Sequence, residues 1–195
     1  MRYIINKTSS WIFLFVKKKK ETPKITEEDI KHAIDLGQEI GELEFQEKTM
    51  INRIFKFNDL EVGDILCPIN KVFSLNEKEK INKKLDLIIK KGYSRIPVYR
   101  KTKKHIVGVL FIKDILKEKN SQTKIKKLMR NAIFVHENKK IDDMLNEFKR
   151  KKTHLAIVNN SKGKFIGIVS IEDVLEKLVG KIYDETDNIP QTKKE

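Results

Sequence analysis

Two stretches of the sequence repeat each other, and this repeat constrains the fold more than any other feature. Residues 96–99 and 107–116 have counterparts fifty-nine positions later, at 155–158 and 166–175, with no gap between the matched segments. Internal repetition is typical of units that cannot bury their apolar face alone and therefore pack against a neighbour. The sequence thus predicts two similar modules packed as a pseudo-twofold pair.

The repeat also indicates where the chemistry lies, because its two copies differ at one informative position. Asp114 in the first copy matches Asp173 in the second. Three residues before each aspartate, the first copy has Phe111 and the second has Ser170. A hydroxyl in only one copy predicts that the two modules are not chemically equivalent.

Within each copy, periodicity predicts the order strand, helix, strand, strand, helix. The helical segments place apolar residues three and four apart, and the strands are short apolar runs bounded by turn residues. The first copy comprises a strand at 72–75, a helix at 77–91, strands at 95–99 and 106–111 and a helix at 113–118; the second comprises a strand at 133–135, a helix at 141–149, strands at 155–158 and 165–169 and a helix at 171–179. The predicted fold class is therefore α/β (α+β), built from two βαββα modules.

The chain is expected to contain more than this pair of modules. The predicted parts are a tail at 1–24, a helical hairpin linker at 25–59, a first module at 60–120, a second module at 121–184 and a C-terminal tail at 185–195. Thr26 is predicted to cap the first helix of the hairpin, with Asp29 three residues further on. Gly37 and Gly41 are predicted to interrupt that helix, and a second helix is expected at 42–55.

The N-terminal tail joins an apolar run at 11–16 to four lysines at 17–20. So short a run cannot span a bilayer, which requires about 20 residues, and a signal peptide carries its charges before its apolar run. Two interpretations stay open. The segment is either an anchor on an anionic membrane surface or a tail without fixed structure.

Composition limits the partners that the chain can have. Its formal net charge of +14 is typical of proteins that bind nucleic acid or an anionic membrane. Only six of the 42 basic residues are arginines, whereas specific nucleic-acid readers depend on the planar guanidinium, so the sequence disfavours nucleic acid. The single cysteine excludes an internal disulfide and indicates a reducing, cytoplasmic compartment. The four histidines lack metal-ligand spacing.

Several motifs taken together resemble one family. The segments at 55–57, 92–99, 105–110, 153–158 and 171–185, with a Gly-x-x-Ser-x-x-Asp signature at 167–173, are similar to the CBS-domain pairs (Bateman modules) of the CorC/HlyC proteins. This branch includes the CorC magnesium and cobalt efflux proteins, the CNNM magnesium transporters and proteins called hemolysin C. The resemblance spans about residues 26–187. It implies tandem CBS domains with an N-terminal helical extension.

Many members of this family carry a membrane domain before the CBS pair and a small domain after it. The sequence here contains no apolar segment long enough to cross a bilayer. The expectation is therefore that the chain regulates the transport of magnesium, cobalt or another divalent cation and does not itself transport the ion.

The resemblance implies one nucleotide site, centred on the second module. Ser170 is expected at a helix N-terminus, where free N–H groups and the helix dipole favour an anion, and Asp173 is expected to accept hydrogen bonds from ribose hydroxyls. The alternative is that Ser170 only caps the helix. By analogy, Cys67 would close the base pocket. Because Phe111 lacks a hydroxyl, one good site per pair is expected and not two.

The first module is expected to supply the opposite wall of this site. The segment from Tyr93 to Pro97 resembles the family segment that lines the adenine and phosphate pocket. Ile96 and Pro97 would pack on the base, while Ser94 and Arg95 would meet the phosphates, the arginine through charge-assisted hydrogen bonds. The ligand implied is ATP, or AMP or ADP, with Mg²⁺ held through the phosphates.

Nothing in the sequence predicts catalysis. It contains no glycine-rich phosphate loop with the required Lys and Ser/Thr, and no nucleophile with a placed base. Two hypotheses remain. The first is a regulatory nucleotide-binding module that forms homodimers through the helices at 81–89 and 141–148 and acts with a membrane transporter at the inner face of the plasma membrane. The second is a structural, dimerising interaction protein whose basic tail docks on a membrane, RNA or a ribosome.

Overall fold

The computed structural model describes residues 25–180, which divide into two compact units at Lys48. The first unit contains helix α1 (Glu27–Glu39) and the start of helix α2 (Phe45–Asp59). The predicted capping box at Thr26 is confirmed, because Asp29 donates its backbone N–H to the threonine hydroxyl and its carboxylate accepts the Thr26 backbone N–H at 2.8 Å. The predicted break at Gly37 is wrong, since α1 continues through that residue.

The second unit contains the two predicted modules. The first comprises α3 (Val62–Ile65), β1 (Cys67–Pro68), β2 (Leu75–Asn76), a 3₁₀ turn (Ile81–Lys83), α4 (Leu85–Lys91), β3 (Arg95–Tyr99), β4 (Ile106–Phe111) and α5 (Ile112–Lys117). The second comprises α6 (Ile125–Leu128), β5 (Phe134–His136), α7 (Ile141–Lys151), β6 (Leu155–Asn159), β7 (Phe165–Ser170) and α8 (Ile171–Val179). The mixed α/β fold predicted from the repeat is confirmed.

The helix predicted at 77–91 is shorter than expected, because its first residues pair with the linker between the modules. The backbone N–H groups of Ile81 and Asn82 donate to the carbonyl oxygens of Thr123 and Ser121. In return, Ile125 donates to the carbonyl oxygen of Glu79. These long-range bonds satisfy backbone groups that a helix would otherwise pair locally, and α4 therefore begins only at Leu85.

The strands form two sheets, and one strand crosses between modules. In the first module β2, β3 and β4 form a three-stranded sheet, with β3 antiparallel to β4. In the second module the order is β1-β7-β6-β5, so β1, which precedes the first module's own sheet, adds to the edge of the second. Cys67 lies opposite Ile168 in this antiparallel pairing.

The strand pairing shows that the two copies of the repeat do not align without a gap, contrary to the match seen in the sequence. In β3 and β4, Ile96 faces Leu110, whereas in β6 and β7 the residue that faces Val169 is Ala156. Ala156, and not Leu155, is therefore the structural counterpart of Ile96. The hairpin turn of the second module is one residue shorter than that of the first, so the match shifts by one place at the turn.

Two glycines that match in the repeat explain how the crossing segments approach the sheets. A Cβ atom on Gly167 would overlap the carbonyl oxygen of Cys67 in β1. A Cβ atom on Gly108 would lie 2.7 Å from the carbonyl oxygen of Arg130, which bridges to Val109 in β4. Each module thus needs a glycine at the point where the first residues of the other module cross its sheet.

Each module has its own core, and a third cluster joins them. In α7, Ile141, Met144 and Phe148 are spaced three and four residues apart and are buried in the second module. The cluster between modules, which we call the shared core, contains buried residues of both. They are Val72, Ile106, Val109, Leu155, Ile157 and Phe165. The shared core makes the two modules one packed body.

We predict that Gly167→Ala destabilises the protein by about 1–3 kcal/mol, because the new methyl group must displace the backbone of β1. Urea unfolding followed by circular dichroism measures the loss. The control is Gly37→Ala in α1, whose Cβ would make only an ordinary contact, 3.7 Å from the Cβ of Leu43. If Gly167→Ala unfolds at the same urea concentration as the parent, the close crossing of β1 is not a constraint on the fold.

Candidate functional site

Ser170 and Asp173 form a capping box at the start of α8. The Ser170 hydroxyl donates to Asp173 Oδ2 at 2.6 Å, and the Ser170 backbone N–H donates to the same oxygen at 2.7 Å. The backbone N–H of Asp173 returns a bond to the serine hydroxyl at 3.1 Å. The capping role weighed from the sequence is therefore present. The capping box uses Oδ2 of Asp173 and leaves Oδ1 out of the cap.

Cys67 lies next to this capping box because β1 pairs with β7. Its partner in the sheet is Ile168, two residues before Ser170. Burial raises the pKa of the Cys67 thiol, and the negative charge of Asp173 raises it further. The thiol is therefore neutral at physiological pH. The structure thus brings together Cys67, Ser170 and Asp173, which the sequence placed in one site.

The segment from Tyr93 to Pro97 divides into exposed and buried residues. Tyr93 and Ser94 are exposed, and the Tyr93 ring lies 6.1 Å from the ring of Phe73. Ile96 is fully buried in the core of the first module, and Pro97 is also buried. The Ile96 side chain therefore packs inside its module in the described structure, and the exposed part of this segment is its N-terminal end.

Arg95 projects over an aromatic ring at the edge of a cleft. Its guanidinium carbon lies 5.7 Å from the centre of the Phe111 ring, the residue opposite it in the β3–β4 pairing. The Nε of Arg95 is buried and has no hydrogen-bond partner among the residues described. A cleft of about 320 Å³ lies here. Its lining residues are Ser94, Arg95, Phe111, Ile112, Lys113 and Leu116.

The corresponding place in the first module is filled by the protein's own side chains. Phe111 precedes α5 without a side-chain cap, where Ser170 caps α8. Asp114, the counterpart of Asp173, accepts two hydrogen bonds from Arg130, both at 2.7 Å. The backbone of Arg130 pairs with Val109 in β4, in the same way that Cys67 pairs with Ile168 in β7. Sequence reasoning missed this arginine because it follows α6, outside the segments that repeat visibly.

The two groups of predicted residues adjoin the same interior. Cys67 and its strand partner Ile168, and Phe111, the strand partner of Arg95, are partly buried side chains packed against the shared core. The second module thus presents a capped helix start beside a neutral thiol, while the first presents a cleft with an unpartnered cationic donor. Such a combination suits a ligand with a polar diol or base at one end and anionic groups at the other.

Between residues 25 and 180, no three side chains of His, Cys, Asp or Glu come together in a way that would hold a metal ion. Within that same range, none of the helices is both long and apolar enough to cross a bilayer.

Comparison with known proteins identifies the family. The family model for the CBS domain matches the chain twice, at residues 62–121 and 125–180. The chain is a CBS-domain pair of the CNNM/CorC family. The CBS domain of a bacterial CNNM/CorC family Mg²⁺ transporter is 32% identical, with a TM-score of 0.76 over 82% of this chain and 99% of that one. The family resemblance drawn from the sequence motifs is confirmed.

Two more relatives bear on function. A structure of the CBS domain of a bacterial CNNM/CorC family Mg²⁺ transporter in complex with ATP is 34% identical, with a TM-score of 0.67 over 70% of this chain and 99% of that one. The magnesium and cobalt efflux protein CorC of Salmonella typhimurium is 37% identical over 148 residues, which is 73% of this chain. The chain spans about half of that relative, since the match covers 51% of its length.

Proposed function

We propose that the chain is a regulatory module that binds adenine nucleotide, with ATP as its main ligand. In this proposal, nucleotide binding regulates the transport of magnesium or cobalt. The observation that carries this proposal is the grouping of Cys67, Ser170 and Asp173 at the start of α8. The ATP complex of a CBS domain with the same fold supports it.

In this proposal the second module holds the nucleoside. Oδ1 of Asp173, which the capping box leaves unused, accepts hydrogen bonds from the ribose hydroxyls. The neutral thiol of Cys67 and the apolar residues beside it close the base pocket. Ser170 keeps its capping role and turns the N-terminal N–H groups of α8 towards a phosphate.

In the same proposal, the first module binds the phosphates. Arg95 offers a buried Nε that lacks a partner within the described residues, and Ser94 offers an exposed hydroxyl at the same cleft. A phosphate oxygen is a suitable acceptor for both. Mg²⁺ enters with ATP, because this ion prefers phosphate oxygens and water to a cage made only of protein ligands. We further propose that the nucleotide is an effector that is bound and not hydrolysed.

The module is proposed to act in the cytoplasm, at the inner face of the plasma membrane beside a transporter. A change in nucleotide occupancy alters the contacts between the two modules, because the site adjoins the shared core. The competing hypothesis, a structural protein that docks through a basic tail, rests on residues 11–20. Those residues lie outside the described part of the chain. Calorimetry with ATP and AMP separates the two hypotheses, since only the regulatory module should bind nucleotide.

We predict that Asp173→Ala weakens ATP binding by about 1.5–3 kcal/mol, because the ribose hydroxyls lose their charged acceptor. Isothermal titration calorimetry with and without Mg²⁺ gives the affinity. The substitution also removes a helix cap, so a matched control is required. Asp29→Ala removes the same type of capping box from α1 and should leave ATP affinity unchanged. Parent-like ATP affinity in Asp173→Ala would show that the site is placed wrongly.

Arg95 is predicted to select for phosphate number. A guanidinium beside the outer phosphates assists ATP more than AMP, so Arg95→Met should narrow the ratio of ATP to AMP affinity. Titration of both nucleotides into both proteins measures that ratio. Arg53→Met is the control, since Arg53 donates to the carbonyl oxygen of Val179 at the far end of α8. An unchanged ratio in Arg95→Met would remove this residue from the phosphate site.

The chain is also proposed to form a homodimer, although not through all the surface predicted from the sequence. Three of the four apolar residues of α7, Ile141, Met144 and Phe148, are buried in the core and cannot serve a second copy. On α4, by contrast, Ile89 is 68% exposed and Leu87 is 39% exposed. The helix at 85–91 is therefore the part of the predicted interface that stays available.

We predict that Ile89→Lys converts the dimer into folded monomers, because it places a charge in the proposed apolar contact. Sedimentation velocity at micromolar concentration, with and without ATP, measures the mass. Lys90→Ala on the same helix is the control and should leave the dimer intact. If the parent protein sediments only as a monomer in both conditions, the homodimer proposal is wrong.

A further inference from the structure

Three cationic side chains surround the ring of Phe111. The guanidinium carbon of Arg130 lies 4.7 Å from the ring centre, and that of Arg95 lies 5.7 Å away. The Nζ of Lys113 also lies 5.7 Å from the centre. Aromatic faces attract cations, so the ring gathers positive charge at the edge of the cleft lined by Ser94 and Arg95.

Asp114 is the acidic residue that the structure places within this cluster. It binds Arg130 through two parallel hydrogen bonds, from Nε to Oδ2 and from one terminal nitrogen to Oδ1. The Asp114 side chain is 16% exposed and that of Arg130 is 51% exposed. The hydrogen bonds from Arg130 lower the pKa of Asp114, which therefore remains ionised at neutral pH. The carboxylate thus binds one of the three cations around the ring, Arg130, and also feels the charge of Lys113.

The position of the Asp114–Arg130 ion pair points to a role in ligand binding as well as in packing. Asp114 occupies the place in the first module that Asp173 occupies in the second, where a ribose diol is proposed to bind. The two N–H donors of Arg130 occupy both oxygens of Asp114, including Oδ1, the oxygen that in Asp173 is proposed to accept ribose hydroxyls. The arginine thus acts as an internal ligand of the first module. The arginine side chain of this pair is half exposed, so a phosphate group can approach Arg130 from solvent.

We propose that Arg130 is a specificity residue that leaves Asp114 for the outer phosphates of a bound nucleotide, so that Asp114 competes with the phosphate chain for the arginine. This inference rests on the proposed nucleotide-binding function. The cleft already holds Arg95 and Lys113, and a di- or triphosphate chain carries enough negative charge to recruit a third cation. A nucleoside monophosphate does not extend to the outer positions and leaves the pair closed.

Removal of the competitor provides the sharpest test. Asp114→Asn keeps the shape of the side chain but releases the charged hold on Arg130, so ATP affinity should rise about three- to tenfold while AMP affinity stays within about twofold. Arg130→Met should lower ATP affinity by a similar factor and spare AMP. Glu79→Gln, which removes one negative charge from an ion pair with Lys84 in the same module, is the control and should change neither.

The double variant Asp114→Asn/Arg130→Met distinguishes recruitment of the arginine from simple loss of negative charge. If Arg130 moves to the phosphates, Asp114→Asn brings no gain when Arg130 is absent. An equal gain in both backgrounds overturns the proposal, as does an unchanged ratio of ATP to AMP affinity in both single variants. If Arg130→Met does not fold, Arg130→Lys replaces it, since it keeps the charge but loses the fork and should bind ATP with intermediate affinity.

The same titrations separate this proposal from the nucleotide-binding function on which it rests. A parent protein that binds neither ATP nor AMP refutes both. A parent that binds both nucleotides, with Asp173→Ala impaired but Asp114→Asn and Arg130→Met unaltered, supports nucleotide binding and refutes only the role of Arg130.

Discussion

The pairing of β1 with β7 is the contact on which the rest of the structure depends. β1 is only two residues long, yet it carries the start of the first module onto the edge of the second module's sheet. It closes that edge, which would otherwise present unpaired backbone groups. It also sets Cys67 beside Asp173, so the pairing that holds the modules together builds one side of the candidate site.

The two modules share a fold but differ in the side chains at the start of their last helix. In the second, a serine and an aspartate cap a helix and leave one carboxylate oxygen unused by the cap. In the first, Phe111 takes the place of the serine, and both oxygens of the aspartate are engaged by Arg130. Gene duplication would explain the common plan. In the proposed function, the divergence of a few side chains lets one module bind the nucleoside and the other supply cations.

Much of this fold was predictable because its signals are local. The alternation of apolar runs gave β3, β4, β6 and β7, and the spacing of apolar residues gave α7. The cap at Ser170 was visible in the sequence as a serine three residues before an acid. Signals of this kind need no knowledge of distant parts of the chain.

Other features were not predictable because they depend on contacts between distant residues. The helix at 77–91 is shortened by backbone bonds to residues 121–126, which no local pattern reveals. The strand at Cys67 exists only because β7 lies beside it. Similarly, the sequence named Arg95 as a site residue but missed Arg130, whose importance comes from the ring of Phe111 and from Asp114.

The crossing strand has a consequence for how the chain is made and how it folds. Because residue 67 pairs with residue 168, the edge of the second sheet is completed by a segment that leaves the ribosome long before that sheet exists. A fragment that begins at the second module would lose Phe57 and Val62 from its core and expose the flank of β7, and it would be prone to pair with other chains. Contacts of such large sequence separation form late and slow folding. The two modules are therefore expected to become native together, as one cooperative unit.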